Sequence, residues 1–223
     1  LYVFALDRQG GVLCNPAQPQ NEGKSGIDLK DPDGKPVVRH ILDAVAESRV
    51  GWVHYRWPKP GATETSPKTA YVAAVKTPQG KELVVGSGLY DVKWEKLFLV
   101  DTVNRAADLI AKEGKDAFPI LRDKAGPFQY GSTYVFVHDD KGVETVSPGR
   151  PDLEGKNLWD FQDADGKFLM RDTVELLRDK DRAWQDYKWP KPGEKTPSLK
   201  RSYYRKVKSG DRTLIVGAGY HPN

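Results

Sequence analysis

Gly51-Trp52-Val53-His54-Tyr55-Arg56-Trp57-Pro58-Lys59-Pro60-Gly61 returns downstream as Trp184-Gln185-Asp186-Tyr187-Lys188-Trp189-Pro190-Lys191-Pro192-Gly193. Tyr55 maps to Tyr187 and Trp57 to Trp189 at one constant displacement of 132 positions. A repeat of that length is domain-sized and far above the period of a solenoid. The reading is therefore two copies of one small domain in tandem. A chain of 223 residues can hold both, each near the lower end of normal domain size.

Working outward from the repeat, residues alternate across a strand, so Val53, Tyr55 and Trp57 share one face and Trp52, His54 and Arg56 the other. A turn-rich loop, Pro58 to Pro67, leads to a strand over Lys68 to Lys76, with Thr69, Tyr71, Ala73 and Val75 on one face. Glu82 to Tyr90 forms the last strand of the first copy. Upstream, Leu1 to Leu6 and Val12-Leu13 flank a Gly-containing turn, a hairpin signal. Val38, Ile41, Leu42 and Val45 follow helical spacing, which predicts a helix over Val37 to Ser48. Val92 to Lys112 has the stripe Leu97, Val100, Val103, Ala107 and Ile110 and predicts a long amphipathic helix. The strand program then restarts at Tyr134-Val135-Phe136-Val137. A second short helix is expected from Phe168 to Arg178, and final strands at Trp184, Lys200–Lys208 and Thr213–Tyr220.

Each copy thus reads as two strands, a short helix and three consecutive antiparallel strands. The fold class is α+β, a central antiparallel sheet flanked by a long helix and short helices. The copies are expected at 1–91 and 92–223, with the long helix 92–112 opening the second. By the same logic the first copy's long helix is expected upstream of Leu1. The chain also begins inside a strand-like run, so its natural start is expected further upstream.

Composition excludes several classes. Hydrophobic residues at 38% and charged residues at 30% describe a globular chain rather than a disordered one. The net charge of +4 is spread without the basic clustering that nucleic acid needs, so no nucleic-acid partner is expected. Cys14 is the sole cysteine, so no disulfide forms within the chain. No run is long and apolar enough to span a membrane. His40, His54, His138 and His221 align with Asp172, Asp186, Leu6 and Tyr90, so no histidine recurs in both copies. No His-Glu-x-x-His, Cys pair or Gly-x-Ser-x-Gly occurs. Asp31-Pro32-Asp33-Gly34 and Asp163-Ala164-Asp165-Gly166 fail as calcium loops, because Leu29 and Phe161 stand where the first ligand belongs. They read as turns. No enzyme, metal or cofactor is expected.

The Tyr-Val-Phe-Ala-Leu-Asp-Arg-Gln-Gly-Gly start, Gly23-Lys24, Asp31-Pro32-Asp33-Gly34-Lys35, the Trp-x-x-Tyr-x-Trp-Pro strand, Pro67-Lys68 and Val85-Gly86-Ser87-Gly88-Leu89-Tyr90 together resemble the Cache sensor family, in its single-module branch. The pattern covers nearly all of residues 1–90 and, more loosely, 118–221. The resemblance implies a PAS-like fold, an extracytoplasmic location (periplasmic or extracellular) and capture of a small organic anion such as acetate, propionate, lactate or pyruvate. It also implies that any membrane contact runs through segments outside this chain. A homodimer stays open. The second copy departs from the pattern: Pro67-Lys68 becomes Leu199-Lys200, and Gly88-Leu89-Tyr90 becomes Gly219-Tyr220-His221.

A carboxylate needs one positive charge and one or two donors, and its short alkyl tail needs aromatic walls. In the first copy Lys68 supplies the charge, Tyr55 and Tyr71 the donors and Trp57 the wall. Strand parity sets Lys68 opposite Tyr71, so the pair requires an irregular strand start. The equivalent set is Tyr187, Trp189, Lys200 and Tyr203. The competing reading is a structural or protein-interaction module whose pockets are filled by its own side chains.

Overall fold

Alternating apolar residues in short runs, separated by Gly-bearing turns, build two antiparallel sheets. A computed structural model of the chain describes residues 1–46, 48–91 and 96–222, with the backbone alone at Leu97. The chain divides into two compact units, Leu1–Lys93 and Trp94–Asn223.

In the first unit, β1 (Val3–Asp7) and β2 (Val12–Cys14) form a hairpin, followed by helix α1 (Val37–Ala44) and by β3 (Val50–Pro58), β4 (Thr65–Lys76) and β5 (Glu82–Tyr90). The sheet order is β2-β1-β5-β4-β3, with every pairing antiparallel. The last strand is therefore central. Phe4, Leu6 and Val12 of the hairpin, Val37, Val38 and Ile41 of α1, and Val53, Tyr55, Ala70, Val72 and Val84 of the later strands make one core on one face of the sheet.

Helix α1 stops at Ala44, short of the expected Ser48; Glu47 of that expectation lies outside the described residues. The reason is a sharp reversal. Arg49 takes a left-handed φ of 61°, and its carbonyl accepts the Ala74 N–H at 2.7 Å. Gly51 passes so close to the helix end that a Cβ there would meet the Ala44 oxygen at 2.6 Å. The loop between β3 and β4 is also shorter than expected, because Thr65, Ser66 and Pro67 already pair with Pro58, Trp57 and Arg56.

The second unit opens with α2 (Lys96–Glu113) and α3 (Phe118–Arg122). The expected start of α2 at Val92 and the side chain of Leu97 lie outside the described residues. The strands β6 (Gln129–Tyr130), β7 (Thr133–Asp139) and β8 (Glu144–Val146), helix α4 (Leu169–Leu176), and β9 (Arg182–Pro190), β10 (Pro197–Ser209) and β11 (Arg212–Tyr220) follow. The sheet order is β6-β7-β11-β10-β9, with β8 on β7. This sheet is covered on both faces. Leu99, Val103, Ala106, Ala107 and Ile110 of α2 pack on Val135, Tyr203, Val216 and Ala218. On the other face Leu169 and Leu177 pack with Phe136, Tyr187 and Tyr204.

The face that α2 covers in the second unit carries exposed apolar residues in the first. Tyr203 is 5% exposed and its equivalent Tyr71 is 42% exposed; Val3 and Leu89 are exposed beside Tyr71. Both tyrosines lie tilted against the preceding strand's tryptophan, Tyr71 against Trp52 and Tyr203 against Trp184, with ring centroids 5.0 and 5.1 Å apart. Truncating a buried aromatic costs about 3 kcal/mol or more, whereas an exposed one costs within about 1 kcal/mol. Tyr203→Ala is expected to destabilise the second unit by about 3 kcal/mol and Tyr71→Ala the first by less than about 1 kcal/mol, read by urea unfolding of this chain.

Candidate ligand site

A lysine in the middle of a sheet must aim its side chain at one face or the other. Residues of β4 alternate, and Lys68, Ala70 and Val72 are buried on the α1 face. The strand register is regular there, with Tyr55 opposite Lys68 and Trp52 opposite Tyr71. Lys68 is only 1% exposed. It lines a small cavity of about 30 Å³ with Tyr2, Phe4, Tyr55, Trp57 and Asn15.

Around the ammonium the walls are aromatic. The Lys68 Nζ sits 4.3 Å from the Tyr2 ring centroid, 5.2 Å from Phe4, 5.3 Å from Tyr90 and 5.6 Å from Tyr55. It donates to the Tyr2 hydroxyl at 2.7 Å. The Tyr90 hydroxyl donates to the Pro58 carbonyl at 2.8 Å, so the 3.1 Å contact between Tyr2 and Tyr90 hydroxyls runs from Tyr2 to Tyr90. The hydrogen bonds therefore point away from Lys68 in one direction. An ammonium has three N–H groups, and among the described residues one of them is used.

The walls are held from outside. Asp31 precedes α1 and accepts the Asp33 and Lys35 amides on Oδ1, both at 2.9 Å. Its Oδ2 accepts the Arg56 amide of β3 at 2.9 Å. One carboxylate thus fixes the turn before the helix to the strand that bears Tyr55 and Trp57. Asp163 repeats the device with Asp165, Lys167 and Lys188. Burial opposes its charge, but those three backbone N–H donors hold it below the usual carboxylate value. Gly88 clears the floor: a Cβ there would meet Lys68 Cε at 2.9 Å, and one on Gly219 would meet Lys200 Cε at 2.8 Å.

The second unit has the equivalent cavity, also about 30 Å³, on Lys200, Tyr134, Phe136, Tyr187, Trp189 and Tyr204. Lys200 is 1% exposed, with its Nζ 4.2 Å from the Tyr134 centroid and 5.2 Å from Phe136. Tyr187 bonds Ser202 Oγ at 3.0 Å, and Trp189 Nε1 donates to the Tyr134 hydroxyl at 3.2 Å. Burial lowers the Lys200 ammonium, but Tyr187, Tyr134 and Glu144 around it carry it above the ordinary lysine value.

The structure brings Tyr55, Trp57 and Lys68 together, and likewise Tyr187, Trp189 and Lys200. Tyr71 and Tyr203 stand apart on the opposite sheet face, because their strands are regular. That corrects their expected position beside the lysines. The tyrosines whose rings lie nearest the ammonium are instead Tyr2 and Tyr90 in the first unit and Tyr134 in the second. Tyr2 and Tyr134 carried a usable signal: they occupy equivalent places in the two copies, next to the same Val-Phe pair.

Among the described residues no helix is long and apolar enough to cross a membrane, and no group of three or more His, Cys, Asp or Glu is placed to hold a metal ion. Comparison with known proteins bears on the fold and the family. The chain is 35% identical over 89 residues to the methyl-accepting chemotaxis protein McpP of Pseudomonas putida, covering 40% of this chain and 16% of that protein. It is 32% identical over 89 residues to the sensor histidine kinase MctS of Rhizobium johnstonii, covering 40% of this chain and 18% of that protein. The chain thus spans less than a fifth of the length of either relative. A solved Cache chemosensory domain described for carboxylic acid recognition matches 55% of this chain and 84% of its own at 24% identity, with a TM-score of 0.46. The Single Cache domain 2 family matches residues 1–96 and again residues 104–221. The chain therefore belongs to that family and carries its sensor domain twice.

Proposed function

We propose that this chain is the extracytoplasmic ligand-sensing part of a signalling protein, and that each unit captures a short organic acid in the cavity over its buried lysine. The observation that carries this reading is Lys68: a side chain 1% exposed on a cavity wall, with one of its three N–H groups used among the described residues. Burying an unpaired ammonium costs several kcal/mol. Aromatic faces return about 2 kcal/mol when desolvated. A carboxylate in the cavity supplies the missing counter-charge and fills the remaining donors, while Phe4 and Trp57 cover a short alkyl tail. The relatives, a chemotaxis receptor and a sensor kinase, fit a role in which binding biases a signalling equilibrium through different affinities for its two states. The output module, the periplasmic setting and the acid itself are parts of this proposal.

A thermal-shift screen of wild type, Lys68→Ala and Lys200→Ala with acetate, propionate, lactate and pyruvate tests it. At one hundred times the dissociation constant an acid adds about 2.7 kcal/mol, a plain rise in melting temperature. The expected result is a rise that Lys68→Ala removes from the first unit. No rise with any acid, in either unit, favours the interaction-module reading.

Burial pulls the Lys68 ammonium down to about 8 from the ordinary 10.5. Between those values the unfolded chain holds the proton and the folded chain has released it, so stability rises with pH across that window. The full effect is at most about 3 kcal/mol. Urea unfolding between pH 7.5 and 10 is expected to show that rise in wild type and not in Lys68→Met. Binding runs the opposite way: a carboxylate favours the charged amine, so affinity is expected to fall above pH 8, by up to about tenfold per pH unit, in titration calorimetry.

A further inference from the structure

The two cavities share a lysine and differ on the wall that faces it. Where the first has Val12, Asn15 and Ile41, the second has Glu144, Ser147 and Thr173 at the equivalent places. Glu144 is the largest change. It sits on β8, 4% exposed, with its backbone held on both sides by the Lys156 carbonyl and the Gly155 amide. Its Oε2 is buried without a hydrogen-bond partner among the described residues. The Thr173 hydroxyl lies 2.7 Å from both the Leu169 carbonyl and Gln185 Oε1, and its single proton goes to one of these two acceptors.

A buried carboxyl oxygen without a partner is costly. Burial pushes the Glu144 carboxyl up to about 8, Ser147 and the Lys200 charge pull the other way, and Glu154 adds to the rise. Burial thus works against the charged form of Glu144, and a cation set against Oε2 would favour it. Two opposite recognition groups, a cation and an acid, face one small space. A plain short acid satisfies Lys200 and leaves Glu144 as it was. A molecule that carries an ammonium beside its carboxylate satisfies both.

Resting on the reading of Lys200 as a carboxylate site, we infer that the second cavity binds a small amino-substituted acid of the amino-acid class. Its carboxylate meets Lys200 and its ammonium meets Glu144. The first cavity, with Val12 in that position, takes the unsubstituted acid. One chain then reports two ligand classes through one fold.

The test uses the full chain with Lys68→Ala to silence the first cavity. Calorimetry compares glycine, L-alanine and β-alanine with acetate and propionate. The expected result is at least tenfold tighter binding of one amino acid than of propionate. Glu144→Val, which installs the first cavity's residue, is expected to reverse that order. Glu144→Gln, which keeps the shape and removes the charge, is expected to cost the amino acid at least tenfold. Lys200→Ala is expected to abolish both. Propionate binding that depends on Lys200 but exceeds every amino acid, unchanged in Glu144→Gln, overturns the inference and leaves the lysine reading standing. Binding of neither class, or binding indifferent to Lys200→Ala, overturns both.

Discussion

A lysine ammonium buried on the central part of an antiparallel sheet is the constraint from which the rest of each unit follows. The charge cannot shed its solvation without replacement. Each unit therefore rings it with aromatic faces, gives it one tyrosine hydroxyl and leaves a cavity beside it. The neighbouring strand gives up its side chain, at Gly88 and at Gly219, to make room for the lysine stem. The short helix and its preceding turn close over the space, and one aspartate, Asp31 or Asp163, ties that turn to the strand that carries Tyr and Trp. Packing, hydrogen bonding and glycine placement serve the same group.

Much of this was legible in the sequence because of the duplication. A 132-residue displacement that preserves Tyr, Trp, Pro and Gly separates shared architecture from drift, and strand alternation puts Tyr55 and Trp57 on one face. The antiparallel sheet with its short helix follows from the spacing of apolar runs. Lys68 could be singled out only through the family pattern, since an isolated lysine is usually at the surface.

What was not legible depended on three-dimensional register. Tyr71 was grouped with Lys68 although parity opposed it, and the regular pairing of β3 with β4 sends it to the other face. Tyr2, just ahead of β1, and Tyr90, at the end of β5, reach the ammonium because β5 lies between β1 and β4 in the sheet. The end of α1 was misread because helical periodicity continues through Val45, while the left-handed Arg49 and the close pass of Gly51 belong to tertiary packing. Glu144 gave no signal, because its counterpart is Val12 and a lone Glu in a strand reads as surface.

The duplicated fold also separates what a cavity needs from what it recognises. Lysine, Tyr-Val-Phe, Tyr-x-Trp and the glycine are held in both units, while Val12 and Ile41 of the first wall give way to Glu144 and Thr173 in the second. The direct test of the central claim is nuclear magnetic resonance of the chain labelled with ¹⁵N in its lysine side chains, titrated with and without saturating propionate. The account predicts that the Lys68 Nζ resonance titrates near 8 in the free protein and moves to higher pH when the acid is added. A Lys68 resonance that titrates at the ordinary lysine value and ignores every short acid would contradict it.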